Sequence, residues 1–174
     1  MDPYLDNGVL KNKLGITDQG TLDNAEADYV ALRLRELAEV PLPGDYKAKH
    51  FLLMHKYIFQ DIYDWAGEPR NVMMEKGEPV LGGLSIEYEE PNNISDELER
   101  KLALLDRINW QSDADSLAKD LSKCMADVWK IHPFREGNGR TIREFIRLMA
   151  KRMGYNLNWG NVDKEQLLKA SILS

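Results

Sequence analysis

HPFREGNGR, residues 132–140, followed by Thr141-Ile142-Arg143, lies between two amphipathic helical patterns and decides how the rest of the chain is read. Glycines such as Gly137 and Gly139 permit the positive backbone angles that aim successive amide N–H groups at one point. The helix that follows adds its positive N-terminal end, so phosphate oxygens are the natural guest. Arg140 at the helix start and Arg143 three residues on share a face and can reach one anion in fork geometry. Glu136 is the kind of carboxylate that holds Mg²⁺ against phosphate oxygens. His132 is of the pKa class that takes a proton from a hydroxyl near neutral pH. Singly, each residue has a plain structural reading: a turn, solvated arginines, a satisfied histidine. Together in nine residues they point to nucleotide chemistry, with Phe134 as the anchor of the loop in the core.

Outward from this motif the apolar spacing is helical. One helix is predicted from about residue 115 to 131 on Leu117, Leu121, Val128 and Trp129, and another from about 139 to 153, broken at Gly154. Upstream, a helix beginning near Asp23 or Asn24 and ending at Glu39 uses Ala27, Val30, Leu34 and Leu37 as its inner face. Pro41 and Pro43 forbid its continuation. A second spans about 46–63 on Phe51, Met54, His55, Ile58, Phe59 and Ile62, and a further one about 93–108 on Ile94, Leu98, Leu102 and Leu105. Between 67 and 84 the glycines and prolines interrupt too often for a helix, which predicts a short hairpin or ordered loop. A last helix is predicted from the capping-box spacing of Asp163 and Gln166. The expected fold is therefore all-α, one domain over residues 1–174, with a hairpin beside the site.

Composition narrows the function. With 43% hydrophobic and 30% charged residues the chain reads as globular, and no apolar run approaches the roughly 20 residues that span a bilayer. No secretory or transit pattern opens it, so the cytosol is the expected location. A net charge of -6 argues against a direct nucleic-acid partner. The local exception is residues 132–152, where Arg135, Arg140, Arg143, Arg147, Lys151 and Arg152 outnumber Glu136 and Glu144 and make an anionic ligand the expectation. The single cysteine, Cys124, is read as core packing. The chain stops inside a helical pattern, which suggests a piece of a longer protein.

HPFREGNGRTIR meets every specified position of the signature H-P-F-x-[D/E]-G-N-G-R-x-x-R and so resembles the Fic family. HKYIFQDIYDWAGEPR, residues 55–70, is similar to the segment those proteins carry before a hairpin flap, and NKLGITD to their N-terminal stretch. The resemblance covers nearly the whole chain and implies a Fic-type helical bundle. The implied activity is AMP transfer from Mg·ATP to a Ser, Thr or Tyr hydroxyl of a target protein, with release of pyrophosphate. His132 is then the base and Glu136 the Mg²⁺ ligand. Asn138 and the Gly137 and Gly139 amides form the anion hole, Arg140 contacts the phosphates, and Arg143 orients the terminal one. The flap, about residues 68–84, implies docking of the target as an added strand along Val72, Met73, Met74, Glu75, Lys76, Val80 and Leu81.

Many Fic proteins carry an inhibitory [S/T]-x-x-x-E-[G/N] helix. Only Glu136 here is followed by Gly or Asn, and His132 lies four residues before it, so the chain contains no such motif. The expectation is a small antitoxin-like partner whose glutamate meets Arg143; an inhibitory helix or delivery domain beyond Ser174 is the alternative. Implied targets of relatives are small GTPases for secreted effectors, which enter a host cell, and topoisomerase subunits for toxins. Rival readings are transfer of another phosphate-containing group at the same site and a non-catalytic anion-binding module. Gly139, where the Doc branch has a lysine-containing turn, favours AMP transfer.

Overall fold

The computed structural model describes residues 2–77 and 85–163. Five α-helices make the body among these residues: α1 Gln19–Glu39, α2 Ala48–Phe59, α3 Ile94–Leu102, α4 Ala114–Ile131 and α5 Asn138–Arg152. Two small antiparallel hairpins accompany them, β1 Leu5–Asp6 with β2 Val9–Leu10, and β3 Glu75–Gly77 with β4 Ser85–Glu87. Helix α1 packs on α2, α2 on α5, and α4 on both α3 and α5. α5 thereby lies in the interior, with Ile142, Phe145, Ile146, Leu148 and Ala150 buried. The predicted stripe of α2 is buried throughout, from Phe51 to Ile62. Phe134 is fully buried, its ring stacked on Phe51 at 5.7 Å. That burial contributes about 1.5–3 kcal/mol and fastens the 132–140 loop to the core, as its apolar character predicts.

Several boundaries differ from the sequence reading, each for a local reason. α1 begins at Gln19 because Asp18 is its N-cap, accepting from the Thr21 amide at 2.8 Å and from its hydroxyl at 2.8 Å. The earlier start brings Leu22 onto the inner stripe with Val30 and Leu37, while Ala27 faces solvent. Glu26 takes the stripe position between Leu22 and Val30. α2 ends at Phe59, where the amides of Ile62 and Tyr63 turn back to its carbonyl. α3 tightens into a 3₁₀ segment, Ala103–Arg107, which still buries Leu105. The flap hairpin pairs Glu75 with Glu87 and Gly77 with Ser85, so its second strand lies past residue 84. The β1–β2 hairpin was not anticipated; Asn7 (φ 48°) and Gly8 (φ 84°) supply the left-handed pair that a tight turn requires. Val80, Leu81 and the helix expected from Asp163 and Gln166 lie wholly or partly outside the described residues.

Cys124 is buried and its thiol is pushed up to about 12 by burial, in keeping with a packing role. Among the described residues no helix is long and apolar enough to cross a membrane.

Candidate active site

His132 closes α4 in the left-handed conformation, φ 49° and ψ 60°, with its amide bonded to the Val128 carbonyl at 3.2 Å. A side chain held there costs about 1–3 kcal/mol and needs fixing from outside. Tyr88 supplies part of that, its ring stacked on the imidazole at 3.9 Å, with Trp129 edge-on at 5.8 Å.

Arg70 supplies the rest. Its side chain is 1% exposed and has no carboxylate partner among the described residues. It donates to main-chain carbonyls: Nε to His132 at 2.8 Å, Nη1 to Val72 at 2.6 Å, Nη2 to Ile131 at 3.2 Å and to Glu89. The Arg70 amide also bonds the Pro133 carbonyl at 2.8 Å. Burial lowers the guanidinium's pKa, yet Arg stays protonated, so the carbonyl cage is what balances the charge. Both stems of the flap, at Val72 and Glu89, are thereby tied to the peptide of His132.

From the other side the loop leans on His55. Its Nδ1 accepts the Gly67 amide at 2.8 Å, so the proton sits on Nε2, which donates to the Glu136 carbonyl at 3.0 Å. Burial, aided by the nearby charge of Arg140, pushes its pKa down to about 3 despite the bond to Glu136, and the ring stays neutral. It stacks on Phe134 at 3.6 Å and on Phe59 at 4.6 Å.

Within the loop, Asn138 accepts the Phe134 amide at 2.9 Å and donates to the Phe134 carbonyl at 2.7 Å. Those bonds commit its side chain to shaping the turn. Gly137 has φ 82°, and a Cβ there would stand 2.2 Å from the Phe59 ring, so both backbone and space demand glycine. Its amide donates to Glu136 Oε1 at 2.7 Å. At Gly139 a Cβ would come within 3.2 Å of Arg143 Nη1; the glycine makes room for that guanidinium to fold over the helix start. No side chain caps α5, which leaves its first-turn amides open to a ligand.

The charges sort themselves against this frame. Arg147 pairs with Glu144 at 2.6 Å and Arg135 with Asp2 at 2.8 Å. Lys151 and Arg152 bond the Ala38 and Gly44 carbonyls, 3.1 and 2.9 Å away, at the far end of α5. Arg140 shares Nη2 between Glu26 at 2.5 Å and Glu136 at 3.2 Å, and lies over the Phe59 ring at 4.9 Å. Arg143 is half-buried and has no ion pair among the described residues; burial and then the charge of Arg140 lower its pKa. The basic excess read from the sequence thus condenses to Arg143 and Arg140 beside the open amides of α5, near His132 and Glu136.

On the flap, Met73 is 52% exposed, whereas Val72 and Met74 are half-buried and Met74 packs on the core. Glu75 and Lys76 lie in β3. The sequence had assigned no site role to Glu26, His55, Arg70 or Tyr88. The strip 55–70 offered a signal for two of them, since a histidine on an apolar stripe and an arginine after a Gly-Glu-Pro turn bracket it.

The Fic/DOC family model matches residues 45–150. The protein adenylyltransferase VbhT of Bartonella schoenbuchensis is 34% identical over 175 residues, spanning 99% of this chain and 36% of VbhT. The probable protein adenylyltransferase y4lH of Sinorhizobium fredii is 34% identical over 172 residues, 98% of this chain and 85% of y4lH. Among solved structures, the N-terminal Fic domain of Bep8, a VirB-translocated effector of Bartonella sp. 1-1C, superposes with a TM-score of 0.85 at 23% identity, over 98% of this chain and 83% of that one. BepC of Bartonella tribocorum, with AMPPNP bound, gives 0.82 at 23% identity, over 97% and 86%. The chain therefore belongs to the Fic/DOC family and groups with its protein adenylyltransferases.

Proposed function

We propose that the chain transfers AMP from Mg·ATP to a Ser, Thr or Tyr hydroxyl of a target protein. The observation that carries this reading is the Arg143 guanidinium, without an ion pair among the described residues, on the uncapped first turn of α5 that follows the His132 loop. A half-buried cation without a carboxylate gains from a polyphosphate what it lacks in the free protein. In the transfer, the target oxygen attacks the α-phosphorus, the bond from that phosphorus to the bridging oxygen breaks, pyrophosphate leaves, and the hydroxyl proton passes to His132. Arg143 orients the terminal phosphate and Arg140 the chain. The amide of Gly139, joined by that of Gly137 once Glu136 Oε1 releases it, receives charge that develops on the α-phosphate, in the turn clamped by Asn138.

Glu136 fits a magnesium site: its side chain is 44% exposed, and among the described residues its Oε1 is held by the Gly137 amide and Arg140 alone, so water and phosphate oxygens could complete a hard coordination sphere. When bound, Mg²⁺ neutralises phosphate charge. Along the flap, β3 and its approach, residues 72–77, receive the target as an added strand; Val80 and Leu81, also expected to take part, lie outside the described residues.

That Arg143 has no ion pair among the described residues also supports regulation by a small antitoxin-like protein, whose glutamate would occupy the terminal-phosphate position. The proposed setting is either a toxin acting on a topoisomerase subunit in the cytoplasm or an effector secreted into a host cell to act on a small GTPase. Incubation with cell lysate, Mg²⁺ and ATP labelled at the α or the γ position tests the reading. We expect label from α only, lost by 10²-fold or more in His132→Ala with AMPPNP affinity retained. Label from γ would make it a phosphoryl transferase, and no label from either a binding module.

A further inference from the structure

We propose that Glu26 of α1, outside the motif, is the positioning residue for Arg140 in nucleotide transfer. The inference rests on the reading of the site as a nucleotide pocket. Glu26 stands on the inner stripe of α1 where an apolar residue is the rule, and its side chain is 12% exposed. Both carboxylate oxygens are used. Oε1 meets Arg140 Nη2 at 2.5 Å, and Oε2 accepts the hydroxyl of the buried Tyr63. Tyr63 is in turn stacked on Trp65 at 4.3 Å, so the carboxylate is held by a residue that cannot itself swing. The Phe59 ring supports the guanidinium from its face.

Arg140 has two carboxylates in the free protein, and they are not equivalent. Glu136 is the more exposed, 44% against 12%, and is the residue that would hold magnesium; were its oxygens turned to a metal, Glu26 would remain on Nη2. The guanidinium is a rigid planar fork with five donors, and the Glu26 contact on Nη2 together with the Phe59 ring against its face restrains that plane. Nε and Nη1, which make no hydrogen bond within the described residues, are then presented to phosphate oxygens in a set orientation. The same carboxylate places negative charge near an incoming polyphosphate and weakens its ground-state binding. Glu26 thus raises the rate of transfer while it loosens nucleotide.

The signature is a split between rate and affinity. In Glu26→Gln, which keeps the shape and removes the charge, we expect initial label transfer at saturating ATP to fall by about 10-fold. The apparent KM for ATP, and the Kd of Mg·AMPPNP by calorimetry, should fall by about 3-fold. The melting temperature should hold, and Glu26→Asp, which restores the charge at shorter reach, should recover part of the rate. An unchanged rate and KM, or a rate lost together with melting temperature at constant KM, would overturn the role. If the wild-type protein transfers no label, the proposed activity fails by itself. The calorimetric comparison still decides whether Glu26 opposes nucleotide at Arg140.

Discussion

The loop at residues 132–140 and the described parts of the flap, residues 72–77 and 85–89, are tied together through Arg70 but are held in opposite ways. The loop is braced by side chains. His55 supports the Glu136 carbonyl, Asn138 clamps Phe134, Phe59 fills the space a Cβ at Gly137 would take, and Tyr88 backs His132. The flap is paired through its main chain, Glu75 to Glu87 and Gly77 to Ser85, and is anchored at its stems by the Arg70 guanidinium. Chemistry at phosphorus tolerates little displacement, so its residues are over-determined. A strand that docks a target, the role proposed for the flap, needs only a regular row of amides and carbonyls, which accepts many sequences.

Breaking the tie between the two regions should give the largest effect. Arg70→Met keeps an apolar stem but leaves the carbonyls of Val72, Glu89, Ile131 and His132 without their donor. We expect a loss of about 3–5 kcal/mol in denaturant unfolding, since a buried hydrogen-bonded charge network is interrupted. Transfer should fall with it, because His132 loses the contact that offsets its left-handed backbone. Arg70→Lys, which keeps the charge but can reach fewer carbonyls, should sit between. A variant that unfolds like wild type yet has lost transfer would show that Arg70 acts on the reaction and not on the frame.

The motif was legible because its chemistry is contiguous: nine residues carry base, carboxylate, turn and arginine. The helices were legible because Phe51, Met54, Ile58 and their counterparts repeat at 3.6 residues. What joins these parts was not. Arg70 reaches Ile131 across 61 positions and His55 reaches Glu136 across 81, and no local period encodes such a pairing. Glu26 was hidden by the same logic, since a carboxylate on an inner stripe reads as an exception until Tyr63 and Arg140 stand beside it. The start of α1 was misplaced because Asp18, Asp23 and Asn24 are all good caps and only the fold selects the first. The β1–β2 strands are two residues each, too short for alternation to show around Asn7-Gly8.

Acid should sharpen the contrast, because the bracing of the loop includes a group that titrates. His55 has a folded pKa depressed to about 3 against an ordinary value near 6.5. Its contribution is therefore complete above pH 6.5 and is lost as pH falls from there towards 3, while the unfolded chain takes up the proton. The slope is about 1.4 kcal/mol per pH unit, or about 2 kcal/mol between pH 6.5 and 5. His50, also lowered by burial, adds in the same direction and is common to both proteins in the comparison. Urea unfolding of wild type and His55→Gln at the two pH values isolates the term: the variant is less stable throughout but should lose about 2 kcal/mol less on acidification. Equal losses would mean that solvent reaches the His55 ring.

The smallest effect on the fold is expected where the loop is least satisfied. Among the described residues, Arg135, Arg140, Arg147, Lys151 and Arg152 are each engaged by a carboxylate or a carbonyl, whereas the Arg143 side chain has no such contact. Truncating it removes a partly desolvated charge without breaking a pair. Arg143→Ala should therefore leave stability within about 0.5 kcal/mol of wild type, or raise it slightly. Its binding of Mg·ATP should nonetheless weaken by roughly tenfold, about 1.4 kcal/mol, by calorimetry. That combination, neutral for the frame and costly for the ligand, is what distinguishes a residue kept for an anion from one kept for the fold; equal nucleotide affinity in the two proteins would remove Arg143 from the phosphate site.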